Sequence, residues 1–113
     1  SKNKYKNNEF DYDILVYVAN WPAVRSNAWK SLLKARAIEN MSYVVGVNRI
    51  GQDANEIKYN GNSRVYDFKG ERMDDFMENM PRVQINNFDK NELDSFRNKF
   101  PVLKDADDFN LLI

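Results

Sequence analysis

Six apolar residues in a row, Ile14-Leu15-Val16-Tyr17-Val18-Ala19, are rich in β-branched and aromatic side chains and carry no charge. Such a run reads as a strand covered on both faces, because a strand with one wet face alternates apolar with polar residues. Asn20-Trp21-Pro22 ends it, since Pro22 has no N–H for a ladder and holds Trp21 in extended geometry. Helical spacing follows, with Trp29, Leu32, Leu33, Arg36, Ala37 and Met41 recurring at three and four residues, and Ser26 as the expected N-cap. Ser42 to Arg49, SYVVGVNR, is then a second strand of the buried type. Gly46 inside it predicts close approach by another backbone or a bulky side chain.

The rest of the chain is more varied. Residues 1–10 are polar and read as an exposed loop. GQDANEIKYNGN is a turn-rich connection, and Ser63 to Phe68 is a third strand closed by the turn signal Lys69-Gly70. The second and third strands therefore predict a long hairpin. Residues 71–81 have no clear pattern. Arg82 to Phe88 alternates and predicts a half-exposed strand. Asp89 and Glu92 fit the first and last positions of a capping box, Leu93, Phe96 and Phe100 form one stripe, and Pro101 stops the helix. The tail, residues 101–113, predicts an extended segment lying on another surface.

Charge and composition exclude several function classes. The 17 basic and 17 acidic residues balance, so there is no cationic excess for nucleic acid or an anionic membrane. The longest apolar run, Ile14 to Ala19, is far below the roughly 20 residues of a membrane span. The sequence has no Cys and no His. This removes disulfides, thiolate nucleophiles, imidazole acid–base chemistry and the usual zinc sites. The glycines form no phosphate-binding loop, the carboxylates show no metal-ligand spacing, and no cofactor is expected.

Two constellations remain as candidate sites. Asn20 and Trp21 follow a buried strand at its carboxyl end, where layered α/β folds bind ligands. They read either as a pocket wall or as a strand terminator with a core Trp, and spacing alone favours the terminator. Arg36 interrupts the apolar stripe and would be partly buried, with Glu39 in reach on the same face. The pair could hold a carboxylate or supply a base, but two opposite charges satisfy each other, so a structural ion pair is expected.

The residue string adds a resemblance. DYDILVYVANWP, WKSLLKARAIEN, SYVVGVNRIGQD, YNGNS, DFKG and FRNKFPVLKDADDF resemble the omega-amidase branch of the nitrilase (carbon-nitrogen hydrolase) superfamily. The resemblance covers nearly the whole chain, and ARAIEN followed by YVVGVNR is a specific signal. It implies an α/β fold, the carboxy-terminal half of a four-layer α-β-β-α sandwich, with residues 1–113 forming one partial domain. It also implies a Glu–Lys–Cys amidase acting on omega-amides of keto dicarboxylic acids and releasing keto acid and ammonia. None of those three residues can be placed in this chain, whose start resembles the loop just after the nucleophile. The resemblance lets Asn20 and Trp21 line the substrate pocket and leaves Trp29, Arg36 and Glu39 structural. One departure is QDAN where the branch has a DGN-like turn, and a positive φ at Ala54 would cost about 1–2 kcal/mol.

Half a sandwich exposes the inner face of its sheet, so association or a missing partner is expected. The implied partners are the amino-terminal half of the same domain, a small amide substrate and a second copy, through Ala28 to Met41 and Pro101 to Ile113. The implied location is cytoplasmic. The alternatives are a non-catalytic nitrilase-like binding or assembly module, and a complementing fragment of a split enzyme.

Overall fold

The computed structural model describes residues 2–7 and 9–101. The chain opens with a short hairpin, β1 (Tyr5–Lys6) and β2 (Glu9–Phe10), followed by β3 (Ile14–Ala19), a single 3-10 turn (Ala23–Arg25) and α1 (Ser26–Asn40). Next come β4 (Tyr43–Asn48), β5 (Ile50–Gln52), β6 (Lys58–Asn60), β7 (Arg64–Tyr66) and α2 (Lys90–Lys99). A sheet of order β3-β4-β7 forms the centre. β3 and β4 are parallel, in register from Ile14↔Tyr43 to Ala19↔Asn48, with α1 as the crossover. β7 is antiparallel to β4, so the two predicted neighbours do pair, but β5 and β6 form a separate hairpin inside the predicted connection.

Successive β4 residues point to opposite faces, and each face has its own cluster. Val44 packs with Trp29, Leu33, Ala37 and Tyr66, and Leu15, Tyr17, Ala19 and Trp21 pack against them. Gly46 lets α1 settle here, because a Cβ on it would lie 2.5 Å from Leu33 Cδ1 and 2.9 Å from Trp29 Cζ2. Tyr43 heads the other cluster with Phe68 and Leu93. That cluster covers only one end of its face.

The remainder of the second face is open. Ile14, Val16 and Val18 are 39%, 56% and 82% exposed, and Val47 is 46% exposed. The expectation that Ile14 to Ala19 is covered on both faces is therefore not met among the described residues, where the strand alternates exposed and half-buried. The residues are apolar on both sides, but among the described residues α1 covers one face and the Tyr43 cluster only one end of the other.

Other expectations shift for local reasons. Ser26 does not cap α1: the 3-10 turn runs into the helix, Arg25 holds the cap position, and no side chain caps there. Met41 lies beyond the stripe as a left-handed C-cap (φ 48°), and Leu32 is 42% exposed. Arg82 to Phe88 makes no ladder. Gln84 Oε1 accepts from Asp75 N at 3.2 Å and Asn86 Nδ2 donates to Met73 O at 3.2 Å, so the polar side chains turn inward. Val83 and Ile85 are left 91% and 89% exposed. In the 53–57 turn Glu56 takes the positive φ (63°), and Ala54 carries no strain. Asp53 Oδ1 closes that turn by accepting from the N–H of Asn55 and of Ile57.

The opening residues are not a simple exposed loop. Asn3 is 1% exposed. Its Nδ2 donates to Tyr12 O and Ser42 Oγ, both at 2.9 Å, and its N–H donates to Asn40 Oδ1 at 2.9 Å. Asp89 caps α2 by accepting from Glu92 N at 3.0 Å. The reciprocal half of the box goes elsewhere, since Asp89 N donates to the Tyr43 hydroxyl at 3.1 Å. Phe100, expected on the apolar stripe of α2, is its C-cap and 48% exposed. The predicted tail contact falls on residues 102–113, outside the described residues.

Candidate functional site

Parallel strands bring their carboxyl ends together, and here these are Ala19 of β3 and Asn48 of β4. The chain leaving β3 passes over that edge. Asn48 Oδ1 accepts from Trp21 N at 2.8 Å, and Asn48 Nδ2 donates to Trp21 O at 3.0 Å and to Gly61 O at 2.8 Å. Asn20 lies between these anchors and is exposed.

The two residues singled out from sequence are not equivalent. Trp21 turns its ring to the α1 side, with its centroid 5.6 Å from that of Trp29 and its Nε1 donating to Arg25 O at 2.6 Å. With Tyr17, Trp29, Leu32, Leu33 and Arg36 it lines a small cavity of about 230 Å³. A groove of about 790 Å³ lies on the other side, lined among others by Val47, Val65, Met80, Val83 and Phe88. Neither Asn20 nor Trp21 lines that groove. Arg36 Nη1 stands 2.9 Å from Glu39 Oε2, with side chains 38% and 53% exposed. This is a surface pair rather than the partly buried one expected, and such pairs contribute about 0.3–0.5 kcal/mol.

Three polar centres were not visible in the sequence. Asp74, with a fully buried side chain, accepts from Val65 N at 2.8 Å and from Arg72 Nε at 2.9 Å, which ties the 72–76 segment to β7. Asn62 has a positive φ of 57° and donates through Nδ2 to Glu78 Oε1 at 3.2 Å, while its carbonyl accepts from Trp29 Nε1 at 2.7 Å. The YNGN turn signal marks this place without showing its partners.

The third centre is Arg97, 1% exposed. Its Nε donates to Met41 O at 2.9 Å, its Nη1 to Asp13 Oδ1 at 2.6 Å, and its Nη2 to Tyr12 O and Ser42 Oγ, both at 2.9 Å. Its guanidinium also lies 3.9 Å from the Phe10 ring centroid. The clue in the sequence was its position four residues after Leu93, on the apolar stripe of α2.

Burial raises the pKa of Asp13, but hydrogen bonds from Arg97 and Lys90 lower it further, and the carboxyl titrates below its ordinary 3.8. A depressed folded-state pKa gives stability that is present above the unfolded value and lost as pH falls through the folded one. The urea midpoint is thus expected to fall below about pH 4, and Asp13→Asn is expected to flatten that decline. Tyr12 behaves oppositely. Burial first, then Tyr17, pushes it up to about 12, so its contribution is present below pH 10 and lost on the way to about pH 12.

Among the described residues, no three His, Cys, Asp or Glu side chains gather to hold a metal, and no helix is long and apolar enough to cross a membrane. The strand ends offer shape, amide donors and carbonyl acceptors, which can position a ligand but supply no nucleophile.

The profile of the carbon-nitrogen hydrolase family matches residues 2–98. The chain is 46% identical over 105 residues to omega-amidase YafV of Escherichia coli K12, covering 89% of this chain and 40% of that protein. It is 40% identical over 92 residues to 2-oxoglutaramate amidase of Paenarthrobacter nicotinovorans, covering 80% of this chain and 30% of that protein. Its fold matches a CN-hydrolase superfamily protein from Xanthomonas campestris, a crystal structure with an arsenic adduct in the active site. The TM-score is 0.87 at 37% identity, over 92% of this chain and 40% of that one. The chain thus spans well under half the length of these relatives. With the parallel β3-α1-β4 unit, the antiparallel β7 and the profile match over most of its length, the chain belongs to the carbon-nitrogen hydrolase family.

Proposed function

We propose that this chain is the carboxy-terminal part of an omega-amidase-type enzyme, which hydrolyses omega-amides of keto dicarboxylic acids to keto acid and ammonia. The observation that carries the reading is the open face of β3 and β4. Val16, in mid-strand, is 56% exposed and Val18 is 82% exposed, although an uncharged β-rich run belongs in the interior of a layered fold. The rest of the domain covers this face. The names of the relatives support the substrate class.

In this reading the Cys nucleophile, the general-base Glu and the charge-stabilising Lys lie in the amino-terminal part. The thiolate adds to the amide carbon, ammonia leaves, and water releases the acid from the thioester. This chain contributes the second sheet of the sandwich and, with Asn20 at the end of β3, part of the pocket wall. Trp21 supports that wall from behind through its contact with Trp29. The reading includes a cytoplasmic location and a homodimer through α1, where Leu32 and Ile38 are 42% and 50% exposed.

Ammonia release from 2-oxoglutaramate tests it. The full-length protein is expected to turn the amide over, and this chain alone to release none. Activity regained on mixing it with a separately made amino-terminal part supports the same division of labour. Turnover by this chain alone would contradict the mechanism, and amide binding without turnover by the full-length protein would favour a binding or assembly module.

A further inference from the structure

We infer that Asn48 is a positioning residue for the amide pocket, acting through Asn20; this rests on the proposal that Asn20 lines that pocket. Ala19 and Asn48 are the last register pair of the parallel ladder. Beyond them the backbone ladder stops. The Asn48 side chain continues it instead. Its carboxamide meets Trp21 as a neighbouring strand would, accepting from Trp21 N at 2.8 Å and donating to Trp21 O at 3.0 Å. The second amide hydrogen goes to Gly61 O at 2.8 Å.

The Asn48 backbone is fixed as well. Its N–H donates to Ser63 Oγ at 2.9 Å, and that hydroxyl donates back to Asn48 O at 3.3 Å. Asn48 is 8% exposed, with no bulk solvent to replace these bonds. Asn20 is therefore held on both sides by one residue: Ala19 pairs with Asn48 in the ladder, and Trp21 is clamped by its side chain. Asn20 itself is exposed at the strand end, free to offer its carboxamide to a ligand. Only a side chain with both an acceptor and two donors at this length makes all three bonds. Asp has the same shape but would set a carboxylate oxygen against the carbonyls of Trp21 and Gly61. Ser is too short to reach.

The test is a double-mutant cycle in the full-length protein, with kinetics on 2-oxoglutaramate referred to the folded fraction. Asn48→Asp is expected to lower kcat/KM by about 10- to 100-fold, the range for a misplaced positioning group. Asn20→Ala is expected to do the same. The double variant is expected to match Asn20→Ala within about twofold, because Asn48 acts through a group already removed. Asn48→Ser, which buries no charge, takes the place of Asn48→Asp if that variant does not fold. A purely structural role would lower the folded fraction while leaving KM unchanged, and its effect would persist undiminished without Asn20. Multiplying losses, or a silent Asn48→Asp beside a damaging Asn20→Ala, would overturn the role of Asn48. A silent Asn20→Ala would overturn the pocket role of Asn20 and the Asn48 proposal with it.

Discussion

Replacing Arg97 with Met is expected to cost about 2–4 kcal/mol, because it removes charge-assisted hydrogen bonds to buried acceptors. Met keeps much of the volume and stacks on Phe10, so the loss is mainly polar. Arg97 serves Met41 O, Tyr12 O, Ser42 Oγ and Asp13 at once. Without it, Tyr12 O keeps Asn3 Nδ2 at 2.9 Å, but Met41 O loses the Arg97 donor at a site that is 1% exposed. Such a group costs about 1–3 kcal/mol unless water reaches it. Asp13 is less affected, because it is 40% exposed and keeps Lys90 at 3.1 Å. A domain of this size has about 5–15 kcal/mol in total, so urea unfolding of the full-length protein should show a large drop in midpoint. Arg97→Lys should fall between, since an ammonium cannot reach all four acceptors. A Met variant within about 0.5 kcal/mol of the parent would mean that α2 is held by its apolar contacts alone.

Val16→Asp is expected to give opposite results in two settings. In the isolated chain Val16 is 56% exposed, so the substitution should cost about 1 kcal/mol or less, mostly strand propensity, and should reduce self-association. In the full-length protein the same carboxylate would lie unpaired between two sheets. The cost there is expected to be about 3 kcal/mol or more, with loss of the proposed amidase activity. Thermal unfolding measures both settings, and ammonia release from 2-oxoglutaramate measures the full-length protein. An equal, small effect in each would mean that the face stays wet in the whole protein.

The elements carried by local signals were legible in the sequence. The β3 run, the α1 spacing, the β4 run, Gly46 and the Asp89 cap each need only a few neighbouring residues to be read, and the 67–70 turn closes as DFKG predicts, with Asp67 Oδ1 accepting from Lys69 N and Glu71 N. Two of the misread segments depended on partners outside their own residues. A run of apolar residues shows that a strand should be covered but not whether the cover is in the same chain. The alternation in Arg82 to Phe88 was visible, but its phase was not, because Gln84 and Asn86 find acceptors and donors on residues 73–75.

The buried polar groups were the least legible. Asn3 sits in a segment that reads as an exposed loop and Arg97 near the end of the second helix, and their partners lie tens of residues away. At the candidate site, position at the strand end was legible, and side-chain direction was not. Trp21 faces α1, while Asn48, at the end of the GVN sequence, turned out to hold the loop.

On the proposed function, the open face of β3 and β4 is an interior surface whose cover lies outside these residues. Sedimentation of the isolated 113-residue chain, with urea unfolding of the same sample, tests it most directly. Association that weakens with Val16→Asp is expected, together with a broad, concentration-dependent unfolding curve. A monomer with one sharp, concentration-independent transition would contradict it.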